Sequence, residues 1–260
     1  MVKQVVILSG GKGTRMRELT ETIPKPMVKI GGIPVLDHLI KIFSKFSMFE
    51  FIICTGYKSE IIEEYFESQS NIKVVNTGIE TNTGGRLLKV SDLINDDFII
   101  TYGDGLANVQ INKLLDSHFK SEKIGTITVT NPVSRFGLVE FNEDNLVTKF
   151  IEKPKLSGFI NIGFMVFKPQ IFKYLNLDST LEIEPIINLV KAKQLNAFIH
   201  TGFFEPMDTY REYLNLNQLW DSGKKPWMKF WIISLDNITP MSKSNMNKSI
   251  KLTEFIKWKL

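Results

Sequence analysis

The sequence predicts an α/β fold with a Rossmann-like, mixed and mostly parallel sheet flanked by helices. Through the first half, apolar β-branched runs alternate with segments whose apolar residues recur at helical spacing. Repeated strand–helix units predict parallel strands joined by right-handed crossovers, with helices on both faces. Glycine-rich turns at 9–15 and 103–105 each follow a predicted strand. Because ligands bind at the carboxyl ends of parallel strands, we expect both turns at one ligand-binding edge.

The composition excludes several classes of protein. The net charge is +4 and basic residues are spread along the whole chain, whereas a nucleic-acid-binding protein clusters them. The apolar runs are far shorter than the roughly 20 residues that span a bilayer, and no signal peptide is visible, so we expect no membrane partner. The single cysteine, Cys54, can form no intrachain disulfide and fits a reducing cytoplasm.

Strand and helix patterns alternate through the first 123 residues. The apolar run at 4–9 is typical of a strand that is buried on both faces. The segment at 35–46 follows a turn signal with helical spacing, and Ser59 is the predicted N-cap of the next helix. The other predicted elements of this half are strands at 49–56, 71–76 and 97–105 and helices at 59–68, 86–94 and 109–120.

The pattern changes at about residue 124. Short alternating segments predict strands that extend the sheet and form a smaller β-rich part covering the pocket. These strands are predicted at 124–130, 137–142, 146–154 and 160–169, followed by helices at 182–194 and 210–223, the last ending at Gly223. We therefore predict one domain at 1–230, with halves at 1–123 and 124–230, and a tail at 231–260 without an assigned role.

The first strand runs into the stretch SGGKGTR. Glycines let a backbone approach a phosphate closely, and successive N–H groups before a helix form an anion cradle. Lys12 is followed by Gly13 where Walker A needs Ser or Thr, and Met16 stands where the Rossmann fingerprint needs glycine. An ordinary glycine-rich turn is the alternative. Arg15 and the nearby Lys25 favour a triphosphate ligand instead.

Two aspartates are candidate metal ligands. Asp104 stands between glycines at the end of a predicted strand, and Asp208 lies between a strand-like run and a helix. Mg²⁺ takes one or two carboxylates and fills its other positions with water and phosphate oxygens. A solvent-facing turn is the alternative for Asp104, and the sequence leaves open whether the two carboxylates meet.

Other candidate residues are less specific. In FIEKP, Lys153 is either a second phosphate anchor or half of a surface ion pair with Glu152. In TGGRL, Arg86 follows a glycine pair that also fits the start of a helix.

Nucleophilic and metalloprotease chemistry finds no support. Cys54 lies within a predicted strand, and His38, His118 and His200 are far apart in helical or strand-like settings. We expect these histidines to be partly buried or surface residues, because none belongs to a known catalytic motif.

The ordered stretches SGGKGTR, KPM, GGRL, YGDG, RFG, EKP, INIGFMVF and PMDT resemble those of sugar-phosphate nucleotidyltransferases, over roughly residues 3–230. TGGRL, TYGDG, RFG and GFFEPMDTYRE are most similar to the glucose-1-phosphate cytidylyltransferase branch. The resemblance implies the nucleotide-diphospho-sugar transferase type of fold. It also implies transfer of a nucleotidyl group from a nucleoside triphosphate, with Mg²⁺ as cofactor and pyrophosphate as product.

The resemblance implies a role for each matching position. The residues implied to hold the nucleoside triphosphate are Ser9, Gly10, Gly11, Lys12, Gly13, Thr14, Arg15, Lys25, Thr83, Gly85, Arg86 and Asp104. Those implied to bind the phosphorylated acceptor are Gly105, Arg135, Gly137, Glu152, Lys153 and Asn161. The implied catalytic residues are Arg15, Lys25, Asp104 and Asp208, and the two aspartates are the implied ligands of Mg²⁺.

The chain departs from the cytidylyltransferase branch at two places. About twenty-five residues separate Tyr57 from Thr83, fewer than in that branch. Ile162 stands where that branch has a small residue, so we expect the Ile162 side chain to crowd a hexose. The acceptor is therefore left open between a sugar 1-phosphate and another phosphorylated metabolite. CTP is the favoured nucleotide, with UTP, dTTP or GTP as alternatives. A non-catalytic, nucleotide-binding regulatory homologue is the other reading, and a homo-oligomer is left open.

Overall fold

Strands and helices alternate along the chain in the computed structural model, which describes residues 2–46 and 49–229. The tail predicted at 231–260 lies outside the described residues. The strands are β1 (Gln4–Leu8), β2 (Lys29–Ile30), β3 (Ile33–Pro34), β4 (Glu50–Thr55), β5 (Ile72–Asn76), β6 (Phe98–Tyr102), β7 (Gly105–Ala107), β8 (Gly125–Thr130), β9 (Leu138–Phe141), β10 (Val147–Ile151), β11 (Ile160–Asn161), β12 (Met165–Phe167), β13 (Leu195–Ile199) and β14 (Phe204–Pro206). The α-helices are α1 (Arg17–Thr20), α2 (Val35–Ser44), α3 (Ser59–Phe66), α4 (Thr83–Leu88), α5 (Ile111–Ser121), α6 (Glu184–Lys191) and α7 (Tyr210–Asp221).

An eight-stranded mixed sheet forms the centre of the described residues, in the order β11-β8-β12-β6-β1-β4-β5, with β13 pairing β8. β1 lies between β4 and β6 and is parallel to both. β5 continues the parallel part, whereas β12 is antiparallel to β6 and to β8. The predicted mixed, mostly parallel α/β sheet is therefore confirmed.

Apolar side chains pack on both faces of this sheet. Alternate residues of β1 belong to different cores, since Val5 and Ile7 join one and Val6 and Leu8 the other. The helices α2, α3 and α5 cover the first core, and α4 and α6 cover the second. A β1 strand buried on both sides explains why its sequence is continuously apolar.

The predicted start of α3 is wrong. Ser59 is the first helical residue, and the N-cap position belongs to Lys58, whose φ of 51° lies in the left-handed region. The Ser59 hydroxyl is within hydrogen-bond distance of the Thr55 hydroxyl and donates to Glu63. The side chain therefore connects β4 with α3 instead of capping the helix.

Two other predicted elements have different bounds. The helix predicted at 86–94 begins at Thr83 and ends at Leu88. Its first turn contains two glycines of low helix propensity, and the Gly85 N–H donates to the Ser179 carbonyl. Tertiary packing therefore outweighs propensity here. The strand predicted at 160–169 is broken into β11 and β12, because Gly163 and Phe164 both have positive φ. No helix within residues 2–46 and 49–229 is long and apolar enough to cross a membrane.

Two histidines are fully buried. The His118 Nε2 lies 3.5 Å from Asp97 Oδ2, and this carboxylate only partly offsets the effect of burial on the pKa of His118. The His38 Nε2 lies 2.9 Å from the Ile30 carbonyl oxygen, and the His118 Nδ1 lies 3.0 Å from the Thr126 hydroxyl. Burial lowers the pKa of both imidazoles below their ordinary value. Both side chains are therefore neutral in the folded protein near neutral pH.

We predict that acid destabilises the fold through these two residues. The unfolded chain takes up protons on His38 and His118 as the pH falls below about 6.5, whereas the folded chain takes them up only at lower pH. The free energy of unfolding should therefore fall between pH 7.5 and pH 5.5, as measured by urea denaturation. The fall should be smaller in His38→Gln, whose side chain keeps a donor but does not titrate; an equal fall in that variant would contradict the assignment of His38.

Candidate active site

The glycine-rich turn leaves the carboxyl end of β1 and leads into a single 3₁₀ turn at Thr14–Met16. Gly13 has a φ of 63°, and a Cβ added there would lie 2.9 Å from the Cβ of Lys25. The Thr20 hydroxyl donates to the Gly13 carbonyl at 3.0 Å. Glycine is required at this position because the turn folds back against Lys25 in a left-handed conformation.

Arg86 lies behind this turn, with only 4% of its surface exposed. Its guanidinium donates to the carbonyls of Gly10, Thr55 and Ile79 and to the Thr77 hydroxyl. Arg86 was predicted to contact the nucleotide, but its donors are directed to the protein itself. These hydrogen bonds connect the glycine-rich turn to the residues at the carboxyl ends of β4 and β5, so we assign Arg86 a structural role.

A short antiparallel ribbon brings Asp104 and Asp208 together. β7 follows Asp104 directly, β14 pairs with it, and Asp208 comes two residues after β14 ends. The Met207 N–H donates to the Asp104 carbonyl at 2.9 Å, which extends the ribbon by one bond. The two aspartates, 104 residues apart in sequence, therefore lie side by side at the edge predicted from the parallel strands.

The Lys25 ammonium lies between these two carboxylates. Its Nζ donates to Asp104 Oδ2 at 2.6 Å and to Asp208 Oδ1 at 2.5 Å, and its side chain is 11% exposed. Burial alone would lower the pKa of Lys25, but the two carboxylates outweigh it and raise that pKa. Burial would raise the pKa of Asp208, but Lys25 and Arg15 lower it. Near neutral pH, Lys25 and Asp208 therefore form an ion pair.

These groups line a cavity of about 280 Å³. The predicted nucleotide and metal residues that line it are Ser9, Gly11, Gly13, Thr14, Arg15, Lys25, Asp104 and Asp208. Arg15 is largely exposed, and its Nη1 lies 3.1 Å from Asp208 Oδ2. The Ser9 hydroxyl is buried and has no hydrogen-bond partner within residues 2–46 and 49–229. An unpaired hydroxyl in a cavity that also holds cations suits a polar, anionic ligand.

A larger cavity, of about 950 Å³, lies beside the first one, and Thr209, the residue after Asp208, is part of its lining. Arg135 and Lys153, two of the predicted acceptor ligands, line it together with Lys155 and Arg211. The Arg135 Nη2 donates to Glu212 Oε1 at 2.8 Å. Basic side chains around a roomy cavity next to the first cavity fit a second anionic substrate.

Residues 4–221 match the sequence profile of the family described as "Nucleotidyl transferase". The chain belongs to the nucleotidyl transferase family. It is therefore an enzyme, a nucleotidyltransferase, as the ordered motifs predict. The match covers both cavities, since it includes the glycine-rich turn, Asp104, Arg135 and Asp208.

The relatives of this nucleotidyltransferase agree with that assignment. It is 40% identical over 257 residues to the glucose-1-phosphate cytidylyltransferase of Salmonella typhimurium, covering 88% of this chain and 99% of the relative. It is also 40% identical over 255 residues to the Bacillus subtilis protein named "Probable glucose-1-phosphate cytidylyltransferase", covering 88% and 100%. The crystal structure of HddC from Yersinia pseudotuberculosis has the same fold, with a TM-score of 0.65 and 24% identity over 84% of this chain and 100% of HddC.

Besides Arg86, four other predicted nucleotide ligands lie outside the lining of the smaller cavity of the nucleotidyltransferase. The Lys12 Nζ pairs with Glu80 at 2.6 Å, and the Thr83 hydroxyl donates to Glu182 at 2.7 Å. Gly85 is buried within α4, and the Gly10 carbonyl accepts from Arg86. Contacts of these four residues with a nucleotide stay predictions.

The remaining predicted acceptor ligands are dispersed. Gly105 is buried at the start of β7, and Gly137 lies under the Phe150 ring, which a Cβ at Gly137 would approach to 2.4 Å. Glu152 pairs with Lys153 at 3.4 Å, and the Asn161 side chain accepts from the Gly163 N–H at 3.1 Å. None of the four lines the larger cavity, and their roles stay predictions.

The expectation that Ile162 crowds a hexose is wrong. Its side chain is 4% exposed and belongs to the core that contains Phe164 and Val166. The Ile162 N–H donates to the Thr128 carbonyl, next to the pairing of β11 with β8. A buried side chain presents no surface to an acceptor, so this departure gives no reason to exclude a hexose.

Glu212 is a site residue that sequence reasoning missed. It accepts from the backbone N–H groups of Asp208 and Thr209 and from the Arg135 guanidinium. Thr209 and Glu212 form a capping box at the start of α7. The sequence TYRE carries the signature of such a box, a Thr followed three residues later by Glu, and could have revealed it. Glu212 thus links the metal-candidate Asp208 to the acceptor-candidate Arg135.

A second missed cluster surrounds Glu182. Its carboxylate accepts hydrogen bonds from the hydroxyls of Thr83 and Tyr102. Burial raises the pKa of Tyr102 above its ordinary value, and the Glu182 charge raises it further. Only the fold joins these residues, because 80 positions separate Tyr102 from Glu182.

We predict that Glu212→Ala impairs both stability and catalysis, whereas Thr209→Ala impairs mainly stability. Both variants lose the capping box, which is worth about 1 kcal/mol of unfolding free energy. Only Glu212→Ala also releases the Asp208 backbone and Arg135. Urea denaturation and initial rates of pyrophosphate release measure the two effects. Equal loss of activity in the two variants would contradict a positioning role for Glu212.

Proposed function

We propose that this nucleotidyltransferase transfers CMP from CTP to a sugar 1-phosphate and releases pyrophosphate. The observation that carries the proposal is the convergence of Asp104 and Asp208 on the Lys25 ammonium beside the glycine-rich turn. The two carboxylates suit a divalent metal ion. The backbone N–H groups of the turn, together with Arg15 and Lys25, suit the phosphates of a nucleotide. The adjoining basic cavity suits the phosphate of an acceptor.

The choice of CTP and of a sugar 1-phosphate rests on the relatives. Two proteins named as glucose-1-phosphate cytidylyltransferases share 40% of aligned residues with this chain over 99% or more of their own length. Burial of Ile162 also removes the objection to a hexose. Glucose 1-phosphate is therefore the first acceptor to test, and CTP the first nucleotide.

In the proposed reaction, one oxygen of the acceptor phosphate attacks the α-phosphorus of CTP. The new O–P bond forms as the bond between the α-phosphorus and the bridging oxygen breaks, and that electron pair leaves with pyrophosphate. A phosphomonoester has a second pKa near 6, so the acceptor is already ionised at neutral pH. The step requires no general base, in agreement with the burial of His200, the one histidine lining the acceptor cavity among the described residues, whose Nε2 lies 3.0 Å from the Phe203 carbonyl oxygen.

Catalysis then depends on position and charge. Arg15 and Lys25 would neutralise charge on the triphosphate and on the departing pyrophosphate. Arg135 and Lys153 would hold the acceptor phosphate near the α-phosphorus. Glu212 accepts hydrogen bonds from Arg135 and from the Asp208 N–H. It would thereby fix the position of the acceptor-binding Arg135 relative to the metal-binding Asp208.

Asp104 and Asp208 are the proposed ligands of Mg²⁺. They already surround a cation, the Lys25 ammonium, so a second cation can replace it without rearranging the backbone. Residues 2–46 and 49–229 contain no group of three or more His, Cys, Asp or Glu side chains that could hold a metal ion. Phosphate oxygens and water would therefore complete the coordination. When bound, Mg²⁺ would stabilise negative charge on the α-phosphate.

We predict that CTP with glucose 1-phosphate gives the highest kcat/KM in a matrix of nucleotides and acceptors. The matrix pairs CTP, UTP, dTTP and GTP with several sugar 1-phosphates and with non-sugar phosphomonoesters, and pyrophosphate release is the readout. We expect a preference of at least about tenfold, which corresponds to about 1.4 kcal/mol of transition-state binding.

The other outcomes of the matrix are equally decisive. A higher kcat/KM with another nucleotide would contradict the choice of CTP, and one with a non-sugar phosphate would contradict the acceptor. Nucleotide binding without pyrophosphate release in any combination would favour the regulatory homologue.

We predict that Asp104→Asn lowers kcat by at least roughly a hundredfold, equivalent to about 2.7 kcal/mol. The amide keeps the shape of the carboxylate but removes the charge that would hold the metal ion. Asp92→Asn is the matched control, because Asp92 is an exposed aspartate in a 3₁₀ turn away from both cavities. Thermal unfolding of both variants checks the fold. Near-normal activity in Asp104→Asn would overturn the metal assignment.

A further inference from the structure

We propose that Glu205, together with the Asn215 side chain, binds the hydroxyl groups of the acceptor and thereby selects a sugar phosphate over other phosphomonoesters. Glu205 lies on β14, three residues before Asp208, and Asn215 lies on α7. Both residues line the larger cavity, together with the cations proposed to hold the acceptor phosphate. This inference rests on the proposed function and adds to it the residues that recognise the sugar.

Glu205 occupies a position whose neighbours are apolar. Residues directly opposite each other in an antiparallel pair share a face, and so do residues two apart on one strand. Leu106 is opposite Glu205, and Met207 follows it two residues later. Both are fully buried in the core that also contains Leu216 of α7. A carboxylate on this face loses hydration, so packing alone would favour an apolar residue at position 205.

The cations proposed to hold the acceptor phosphate pair with other carboxylates. Arg135 donates to Glu212 at 2.8 Å, and the Lys153 Nζ lies 3.4 Å from Glu152. Glu205 forms no ion pair within residues 2–46 and 49–229. A carboxylate that only stabilised the fold would be expected to take one of these cations, so Glu205 is better explained by a ligand.

An amide supplies the hydrogen bond that Glu205 accepts. The Asn215 Nδ2 donates to Glu205 Oε1 at 3.1 Å. Burial raises the pKa of Glu205 more than this hydrogen bond and the Arg135 charge lower it, and the Glu212 charge raises it further. The Glu205 Oε2 and the Asn215 Oδ1 accept no hydrogen bond from the other described residues. Hydroxyl donors from a ligand would therefore stabilise the ionised carboxylate.

The charges of the cavity fit the two ends of a sugar phosphate. Its four basic residues attract a phosphate, whereas Glu205 repels a phosphate and accepts hydrogen bonds from neutral hydroxyls. A carboxylate oxygen and a neighbouring amide oxygen can each take one hydroxyl of a vicinal pair, which a sugar ring offers. A phosphomonoester without hydroxyls would leave both oxygens unpaired, which weakens its binding. The four basic residues also repel an ammonium, so they disfavour a phosphorylated amino alcohol.

The test compares acceptors that differ by one hydroxyl. It measures kcat/KM for the sugar 1-phosphate with the highest value, for its monodeoxy analogues, for propyl phosphate and for ethanolamine phosphate. The parent should use at least one deoxy analogue at least about tenfold less efficiently than the full sugar. Glu205→Leu should lower kcat/KM for the full sugar at least about tenfold and leave that analogue nearly unchanged. The KM for the nucleotide should stay the same, because Glu205 does not line the smaller cavity.

Thermal unfolding separates recognition from a structural role. Leucine suits the apolar neighbours of position 205, so Glu205→Leu should unfold at a temperature no lower than that of the parent. Asn215→Ala, at an exposed position of α7, should show a smaller loss with the same dependence on the acceptor. Glu64→Leu is the matched control, since Glu64 is an exposed carboxylate of α3 outside both cavities, and its activity should equal that of the parent.

The outcomes distinguish this inference from the proposed function. A parent that uses no sugar 1-phosphate would overturn both. A parent that uses one, while Glu205→Leu keeps the same discrimination against deoxy analogues or loses activity equally on every acceptor, would overturn the role of Glu205 alone. A parent that prefers ethanolamine phosphate, with that preference lost in Glu205→Leu, would assign Glu205 to an ammonium and overturn hydroxyl recognition.

Discussion

The pairing of Lys25 with Asp104 and Asp208 is the interaction on which the rest of the site depends. It joins the segment after β1, the end of β6 and the end of β14, three parts of the chain that sequence alone does not connect. Two carboxylates this close would repel each other without a cation between them. In the proposed reaction, a metal ion would neutralise the two carboxylates, and the Lys25 ammonium would then be free to pair with the phosphates.

The parts of the site that could be predicted are those that depend only on short stretches of the sequence. The glycine-rich turn and the GDG turn follow strands whose apolar character is visible, and parallel strands bring their carboxyl ends to one edge. Lys25 and Asp208 could be named because a cation after such a turn and an aspartate after a strand have few structural reasons to be there. The fold class follows from the same alternation of strands and helices, and the family match agrees with it.

The parts that could not be predicted depend on contacts between distant segments. Arg86 is committed to the Gly10 and Thr55 carbonyls, and nothing in TGGRL distinguishes a buried guanidinium from a ligand-binding one. Ile162 faces the core because positive φ at Gly163 and Phe164 breaks the strand there, which residue size alone does not reveal.

Metal binding without nucleotide tests the central claim most directly, because Lys25 and the metal ion would compete for the same two carboxylates. Titration calorimetry with Mn²⁺ should give a dissociation constant at least about tenfold lower for Lys25→Met than for the parent, a difference of about 1.4 kcal/mol. Lys12→Met is the matched control, since Lys12 pairs with Glu80, and it should bind Mn²⁺ as the parent does. Equal affinities for the parent and Lys25→Met would show that the aspartates do not hold a metal ion in place of the ammonium, and would contradict the account.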